Sequence, residues 1–149
     1  MPGYKQHLLG GGILAALCLA GLFWMRWYRP EWPVALVLLG IALLGALFPD
    51  TDTDSVGQRL FYGCLAAVDV WLIFKSAYKW AALLGLFAMF PALGRHRGWT
   101  HTWWAMLVIP APVIVIPALC YHYPWPGLVP YYLAAVAGYL SHLVLDRKL

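Results

Sequence analysis

Charge is scarce in this sequence. Only 11% of its 149 residues are Asp, Glu, Lys or Arg, whereas 63% are hydrophobic and the mean hydropathy is +0.72. A soluble domain carries roughly a quarter charged residues, and a chain this short must still cover a sizeable surface. The deficit argues against an ordinary soluble domain and predicts an integral membrane protein. The length predicts a single domain over residues 1–149.

Several chemical signatures are also missing. The three cysteines stand alone at positions 18, 64 and 120 with no CxxC pair, which argues against a thiolate zinc site and a disulfide framework. No G-x-S-x-G or P-loop pattern occurs, so a nucleophilic triad is disfavoured. No run of Lys or Arg forms a basic stripe, and we therefore expect no nucleic-acid partner.

Apolar residues instead form six stretches, and many of the Trp and Tyr residues cluster at their ends, as in interfacial belts. The stretches are Leu8–Met25, Pro33–Phe48, Leu60–Phe74, Trp80–Leu93, Trp103–Cys120 and Val129–Leu145. They predict an all-α polytopic bundle of about six short transmembrane helices, several of them shorter than the ~20 residues of a straight span. Residues 75–79, between the third and fourth stretches, contain no Gly or Pro. One bent helix and a re-entrant pair are therefore alternatives there.

Two features inside these stretches have more than one interpretation. Ala42 and Ala46, with Gly45 beside them, form a small-residue face of the kind that membrane helices use for close contact. We favour the alternative interpretation, in which these are ordinary small residues of an apolar helix and form no specific contact. Asp69 lies within the third stretch without an obvious helical partner, and an ion pair with one of the lysines at positions 75 and 79 is one explanation.

Alternating spans bring most of the His and Asp residues to one membrane face. We call the face that bears the N-terminus side A, and the opposite face side B. Four of the five histidines and four of the six acidic residues then lie on side A, while side B has mainly Lys and Arg. Ionisable groups at membrane depth are by default a functional-site hypothesis. The alternative, that loops are simply polar, does not explain why His and Asp collect on side A while Lys and Arg dominate side B.

The acidic motifs on side A have the spacing of metal ligands. His142 and Asp146 are four residues apart on one helix face, so they can share an ion, or the carboxylate can orient the imidazole. A helix-end hydrogen bond is the alternative. Asp50 and Asp52 follow a proline that ends the second stretch, and a D-x-D turn offers hard oxygen ligands. Asx-turn and capping chemistry is the commoner explanation of such a turn.

The loop of residues 95–101 is the richest in polar chemistry. Arg95 and Arg97 flank His96, and His101 follows five positions after that histidine. The guanidinium groups can form a bidentate clamp for a phosphate, and a basic interfacial loop that holds lipid headgroups is the alternative. A mixed His/Asp set indicates metal-activated water. Such a set suits zinc or manganese better than calcium.

Four blocks of the sequence, in this order, resemble the YdjM-like inner-membrane, metal-dependent hydrolases. They are residues 4–10 with His7, Phe48–Ser55, His96–Thr102 and Gly138–Asp146. They read as an early histidine, a Pro-Asp-x-Asp turn, an HRG-x-TH loop and a GYLSHL-x-x-D helix, and together they cover essentially the whole chain. The chain departs from some members at Thr53, where those members carry a histidine.

The resemblance implies a small multi-helix membrane protein with a metal-dependent hydrolase site. It also implies a distant similarity to zinc-dependent phospholipase C and P1-type nucleases. Carried over by position, the implied metal ligands are His7, Asp50, Asp52, His101, His142 and Asp146. We expect His96 to act as a catalytic residue. Arg59, Arg95 and Arg97 are the cations expected to neutralise a phosphate.

These features predict a membrane-embedded phosphoesterase that acts on a phospholipid or lipid phosphate, with zinc as the expected ion and manganese or magnesium as alternatives. The alternative function is a non-enzymatic metal-binding membrane protein or a small ion transporter, since clustered Asp and His also mark ion paths. We expect a multi-pass protein of the inner (plasma) membrane. Six of the ten Lys and Arg residues fall on side A, which favours cytoplasmic termini. The sequence leaves the oligomeric state open.

Overall fold

The computed structural model describes residues 3–52, 55–89 and 99–146, which form helices joined by short turns. The α-helices are α1 (Tyr4–Trp24), α2 (Trp32–Leu47), α3 (Val56–Phe74), α4 (Tyr78–Met89), α5 (Trp103–Val108), α6 (Pro112–Tyr121) and α7 (Val129–Leu145). Turns of 3₁₀ helix cover Phe48–Asp52, Trp99–His101 and Trp125–Gly127. The described ranges contain no β-strand, and the predicted all-α fold is confirmed.

The lengths of the helices suit a membrane. Four spans are long and apolar enough to cross it, and two shorter apolar segments accompany them. The spans are Tyr4–Trp24, Trp32–Thr51, Val56–Phe74 and Trp125–Leu145, and the shorter segments are Tyr78–Met89 and Trp103–Leu119. Many large apolar side chains, Leu9, Leu17 and Leu119 among them, are exposed on the outer faces, and extensive exposed apolar surface is typical of a membrane-facing region. These segments match the predicted stretches to within a few residues.

The third and fourth stretches form two helices with a sharp turn between them, so they are not one bent helix. Ser76 has a φ of 56°, in the left-handed region that few residues other than Gly adopt. Near the far end of the pair, the Tyr62 hydroxyl donates to the Ala88 carbonyl at 3.2 Å. Tyr62 is near the start of α3 and Ala88 near the end of α4, so the two helices run antiparallel. The turn could not be recognised from the sequence, because residues 75–79 contain no Gly or Pro.

Proline divides the fifth stretch. Pro110 has no backbone N–H to continue the helix, and α5 gives way to α6 around it. Pro112 then stands at the first position of α6, where its fixed φ suits a helix start. The predicted single helix over residues 103–120 is therefore two shorter helices.

Helices α1, α2 and α7 pack mutually, and glycines allow the close approach of α2 and α7. A Cβ on Gly138 would collide with the Ala42 carbonyl, and one on Gly45 would collide with the Ala135 carbonyl. Ala42 and Ala46 are completely buried. The small-residue face of α2 is therefore a helix contact, and the interpretation of these residues as ordinary was wrong. This contact brings the ends of α2 and α7 together on side A.

Candidate metal centre

Five polar side chains from four parts of the chain meet at one end of the bundle, and we call them the His/Asp cluster. His7 lies in the first turns of α1, Asp50 in the turn after α2, and His101 in the turn before α5. His142 and Asp146 lie at the end of α7. The structure thus brings together five of the six residues that the resemblance implied as metal ligands.

The three imidazoles all point an Nε2 atom at the two carboxylates. The Nε2 atoms of His101 and His142 each lie 3.6 Å from Asp50 Oδ1, and 3.7 and 3.6 Å from Asp146 Oδ2. The Nε2 atom of His7 lies 3.5 Å from Asp146 Oδ1 and 4.0 Å from Asp50 Oδ2. These separations are too long for good direct hydrogen bonds.

The protonation of His142 follows from its backbone partner. Its Nδ1 atom lies 2.8 Å from the Ala46 carbonyl oxygen. A carbonyl only accepts, so Nδ1 carries the hydrogen and donates it. In the neutral ring this leaves Nε2 with a lone pair directed at the carboxylates, the tautomer that a metal ligand needs. Nε2 is buried and has no hydrogen-bond partner among the described residues.

His7 reinforces this arrangement from α1. Its ring stacks on that of His142 with centroids 3.8 Å apart and an interplanar angle of 16°. The His7 side chain is 1% exposed, and its Nδ1 atom is buried without a hydrogen-bond partner in the described part of the chain. Two neighbouring imidazoles with unused ring nitrogens would be costly in a purely structural core.

The turn that carries His101 is tied to α7. The Tyr139 hydroxyl donates to the Thr100 carbonyl, and both residues are buried. The Thr100 hydroxyl lies 3.2 Å from His101 Nδ1, so His101 has a polar neighbour on the side away from the carboxylates. Tyr139 thereby holds the His101 turn against the helix that carries His142.

The turn that carries Asp50 is held by its own local bonds. The Thr51 hydroxyl donates to the Phe48 carbonyl at 2.6 Å, and the Gln58 side-chain amide donates to the Thr51 carbonyl at 3.1 Å. Ser55 caps α3 by accepting from the Gln58 backbone N–H at 2.9 Å, as expected of a Ser N-cap. These bonds hold the turn that carries Asp50 against the start of α3.

The donor set fits a divalent transition metal. The ligand atoms of Asp50, His101, His142 and Asp146 all lie within 4.8 Å of one another. Two ligands about 2.1 Å from zinc at tetrahedral angles are about 3.4 Å apart, close to the 3.6–3.7 Å that separates the imidazole nitrogens from the carboxylate oxygens of these four residues. Mixed imidazole and carboxylate ligands suit zinc or manganese. The unpartnered Nε2 of His142 is the atom that such an ion would satisfy.

The sequence model of the YdjM inner membrane protein family matches residues 1–147. The chain belongs to this family. No curated protein and no solved structure matches it. For this YdjM family member, the family description and the apolar helices together establish a multi-pass integral membrane protein. The distant similarity to phospholipase C and P1-type nucleases stays a prediction.

The other predicted site residues of this YdjM family member are not in the described cluster. Arg59 is exposed in the first turn of α3, and its guanidinium makes no ion pair with Asp50 or Asp146 among the described contacts. The loop residues Arg95, His96 and Arg97 lie outside the described residues, as does the side chain of Asp52. Their predicted roles stay predictions.

Asp69 stands apart from the cluster. One of its carboxylate oxygens is buried without a hydrogen-bond partner in the described ranges, beside a small cavity between α3 and α4. The described residues include Lys75 and Lys79, and no ion pair joins Asp69 to either of them. The explanation by an ion pair is therefore not supported.

Two groups that position the histidines of the cluster in this YdjM family member were not predicted from the sequence. The Tyr139 hydroxyl carries a signal that could have been used, since it lies three residues before His142 and therefore on the same helix face. The Ala46 carbonyl carries none. Every residue has a carbonyl, and only the packing of α2 against α7 selects this one for His142.

Proposed function

We propose that this protein is a membrane-embedded, metal-dependent hydrolase, specifically a phosphoesterase that acts on a phospholipid or lipid phosphate. The observation that carries the proposal is the arrangement around His142. Its Nδ1 atom donates a hydrogen bond to the Ala46 carbonyl. Its Nε2 atom is therefore an acceptor, and it faces two carboxylates. A set of acceptors that converge in this way is suited to a cation. We propose zinc, with manganese or magnesium as alternatives.

When bound, a divalent ion supplies Lewis acidity towards a phosphoryl oxygen and lowers the pKa of a water molecule towards ~7. In the proposed reaction, the water oxygen forms a bond to phosphorus, the ester P–O bond breaks, and the lipid alcohol leaves with a proton. The chain holds the ligands in place through the hydrogen bonds from Tyr139 and His142. Arg95 and Arg97, with His96 between them, are proposed to bind the phosphate by charge-assisted hydrogen bonds.

Accessibility and depth support an interfacial enzyme. The His142 side chain is 0% exposed, whereas that of Asp50 is 31% exposed, so the cluster has buried nitrogen ligands and a more open carboxylate side. His7 is near the start of α1 and Asp146 follows the end of α7, so the cluster lies at helix ends. Transporter sites lie near the bilayer midplane. A site at the interface suits a lipid whose headgroup is cleaved while its tail stays in the bilayer.

The first test is metal content. Detergent-purified protein is analysed for metals beside His142→Asn and a matched control, His122→Asn. His122 is exposed at the opposite end of the bundle and has a φ of 52°, a conformation that Asn tolerates. We expect near-stoichiometric metal in the native protein and the control, and loss of the metal in His142→Asn. Absence of metal from the native protein after incubation with zinc, manganese or magnesium would refute the proposal.

The second test is turnover. Release of inorganic phosphate or a phosphorylated headgroup is measured from lipid phosphates and phospholipids in mixed micelles. We expect turnover that is lost on chelation, restored by the ion and absent in His142→Asn. Stoichiometric metal without hydrolysis of any substrate would instead favour the non-enzymatic metal-binding function.

A further inference from the structure

A partly open cavity of about 550 Å³ lies among α2, α3, α4, α6 and α7. None of the described residues that line it is charged, and only Tyr139 and Trp80 bring a polar side-chain atom. A polar ligand in such a cavity would lose its hydrogen bonds to water without replacement. The lining therefore selects a hydrocarbon.

The cavity is elongated along the helices. On α3 it is lined by Phe61, Leu65, Val68 and Leu72, whose spacing of four, three and four residues marks one helix face. The eleven helical steps from Phe61 to Leu72 rise about 16 Å, roughly half the ~30 Å hydrocarbon thickness of a bilayer. The cavity thus runs from the side A half of the bundle towards side B.

One end of the cavity adjoins the His/Asp cluster. Phe48 and Tyr139 both line the cavity, and their ring centroids are 5.8 Å apart. Asp50 follows Phe48 by two residues, and His142 follows Tyr139 by one helical turn. Phe48 and Tyr139 therefore place one end of the apolar cavity next to the metal ligands, where the tail and the phosphate of one lipid would meet.

We propose that this cavity binds one hydrocarbon chain of the phosphate-bearing membrane lipid whose headgroup lies at the His/Asp cluster. The inference rests on the proposed function for the identity of the headgroup. A methylene group is about the size of a water molecule, for which the liquid provides about 30 Å³, so the cavity has room for roughly fifteen to twenty methylene groups. That is one chain of a common membrane lipid, and any second chain stays in the bilayer.

The volume argues against a helix of another protein as the occupant. A helix with side chains is about 10 Å or more in diameter, so a segment 16 Å long would fill more than about 1,200 Å³. The cavity provides about 550 Å³. A single flexible chain fits within this volume, whereas a helix would lie partly outside it, through the open side of the cavity.

The test uses a lipid phosphate with a photoreactive diazirine near the end of its chain. After illumination in detergent, labelled peptides are mapped by mass spectrometry in the native protein, in Val113→Trp and in Val115→Trp. Val113 lines the cavity, whereas Val115 is 47% exposed on the same helix. We expect label on the cavity face of α3 and α6, reduced roughly tenfold or more in Val113→Trp because the indole overpacks the cavity, and unchanged in Val115→Trp.

A second pair of variants guards against misfolding. Ile116 lines the cavity, and Leu119 is 72% exposed, so Ile116→Trp and Leu119→Trp repeat the comparison. Helical content and retained metal are measured in every tryptophan variant, and only tryptophan variants that keep both are compared with the native protein. Label confined to exposed helix faces, or equal label in cavity and control variants, would overturn the proposal.

The same labelling in His142→Asn separates this inference from the proposed function. If no hydrolysis is found but cavity labelling persists and responds to Val113→Trp, the chain-binding site stands and the enzymatic function fails. If hydrolysis and metal binding are found but the label avoids the cavity, the function stands and the chain-binding site fails.

Discussion

The two ring nitrogens of His142 have different roles, and that difference gives the cluster its chemical character. Nδ1 donates to the Ala46 carbonyl, which fixes the ring orientation and leaves Nε2 as an acceptor. Metal-binding histidines are commonly oriented in this way by a backbone carbonyl or a carboxylate. The sequence indicated His142 as a ligand, but its partner could not be predicted because no side chain supplies it.

Tyr139→Phe is expected to weaken metal binding while leaving the fold intact. The change removes the hydrogen bond to the Thr100 carbonyl and so loosens the turn that carries His101. Loss of a partner that orients ligands lowers metal affinity by about tenfold or more. Affinity is measured by competition with a chelator of known strength.

Tyr132→Phe is the matched control for this prediction. Its hydroxyl, also on α7, donates to the Leu107 carbonyl at 3.0 Å, so the same kind of bond is removed elsewhere in the structure. We expect its metal affinity to equal that of the native protein. Equal affinities in all three proteins would show that Tyr139 has no part in positioning the site.

At the scale of elements, the contact between α2 and α7 determines whether the site forms. The close approach at Gly138 and Ala42 sets the register in which Ala46 meets His142. The apolar runs of both helices were predicted from hydropathy, and α7 has the predicted bounds, Val129–Leu145. Their contact face was undervalued, because small residues are common in membrane helices whether or not they touch another helix.

Gly138→Ala is expected to destabilise the protein and lower its metal retention together. The added methyl group would collide with the Ala42 carbonyl, and overpacking typically costs about 1–3 kcal/mol. The separation of α2 and α7 would also pull Ala46 away from His142. Stability is measured by unfolding in denaturing detergent, and metal retention by elemental analysis.

Gly63→Ala provides the comparison, because an added Cβ there meets nothing within 4 Å. Ala is the better helix former by about 1 kcal/mol, so this variant should be at least as stable as the native protein. A Gly138→Ala protein with native stability and native metal content would contradict the assigned role of the α2–α7 contact.

At the scale of the whole molecule, the four apolar spans and two shorter apolar segments of the described residues bring the polar ends of distant parts of the chain to one face. His7 and His142 are separated by almost the entire sequence, yet their rings stack. Alternation of spans was enough to predict that they share a membrane face. It could not predict the contact, because a face of the bundle is much wider than the space between two ligands.

Both termini are expected on the cytoplasmic side of the inner membrane. An even number of crossings places them on the same side, and the larger share of Lys and Arg on side A indicates which side it is. Fluorescent protein and alkaline phosphatase are fused in turn to each terminus. We expect fluorescence and no phosphatase activity at both ends. Opposite results at the two termini would rule out six crossings.

The sequence by itself determined the membrane setting, the helical class, most helix boundaries and the face on which the candidate ligands lie. Those properties depend on hydropathy, chain length and alternation of direction, which are local or additive along the chain. Only the tertiary structure decided that α1, α2 and α7 pack mutually, that Ala46 orients His142, and that an apolar cavity ends beside the His/Asp cluster. These depend on how closely two backbones approach and in which register, which is fixed by the joint packing of residues far apart in sequence.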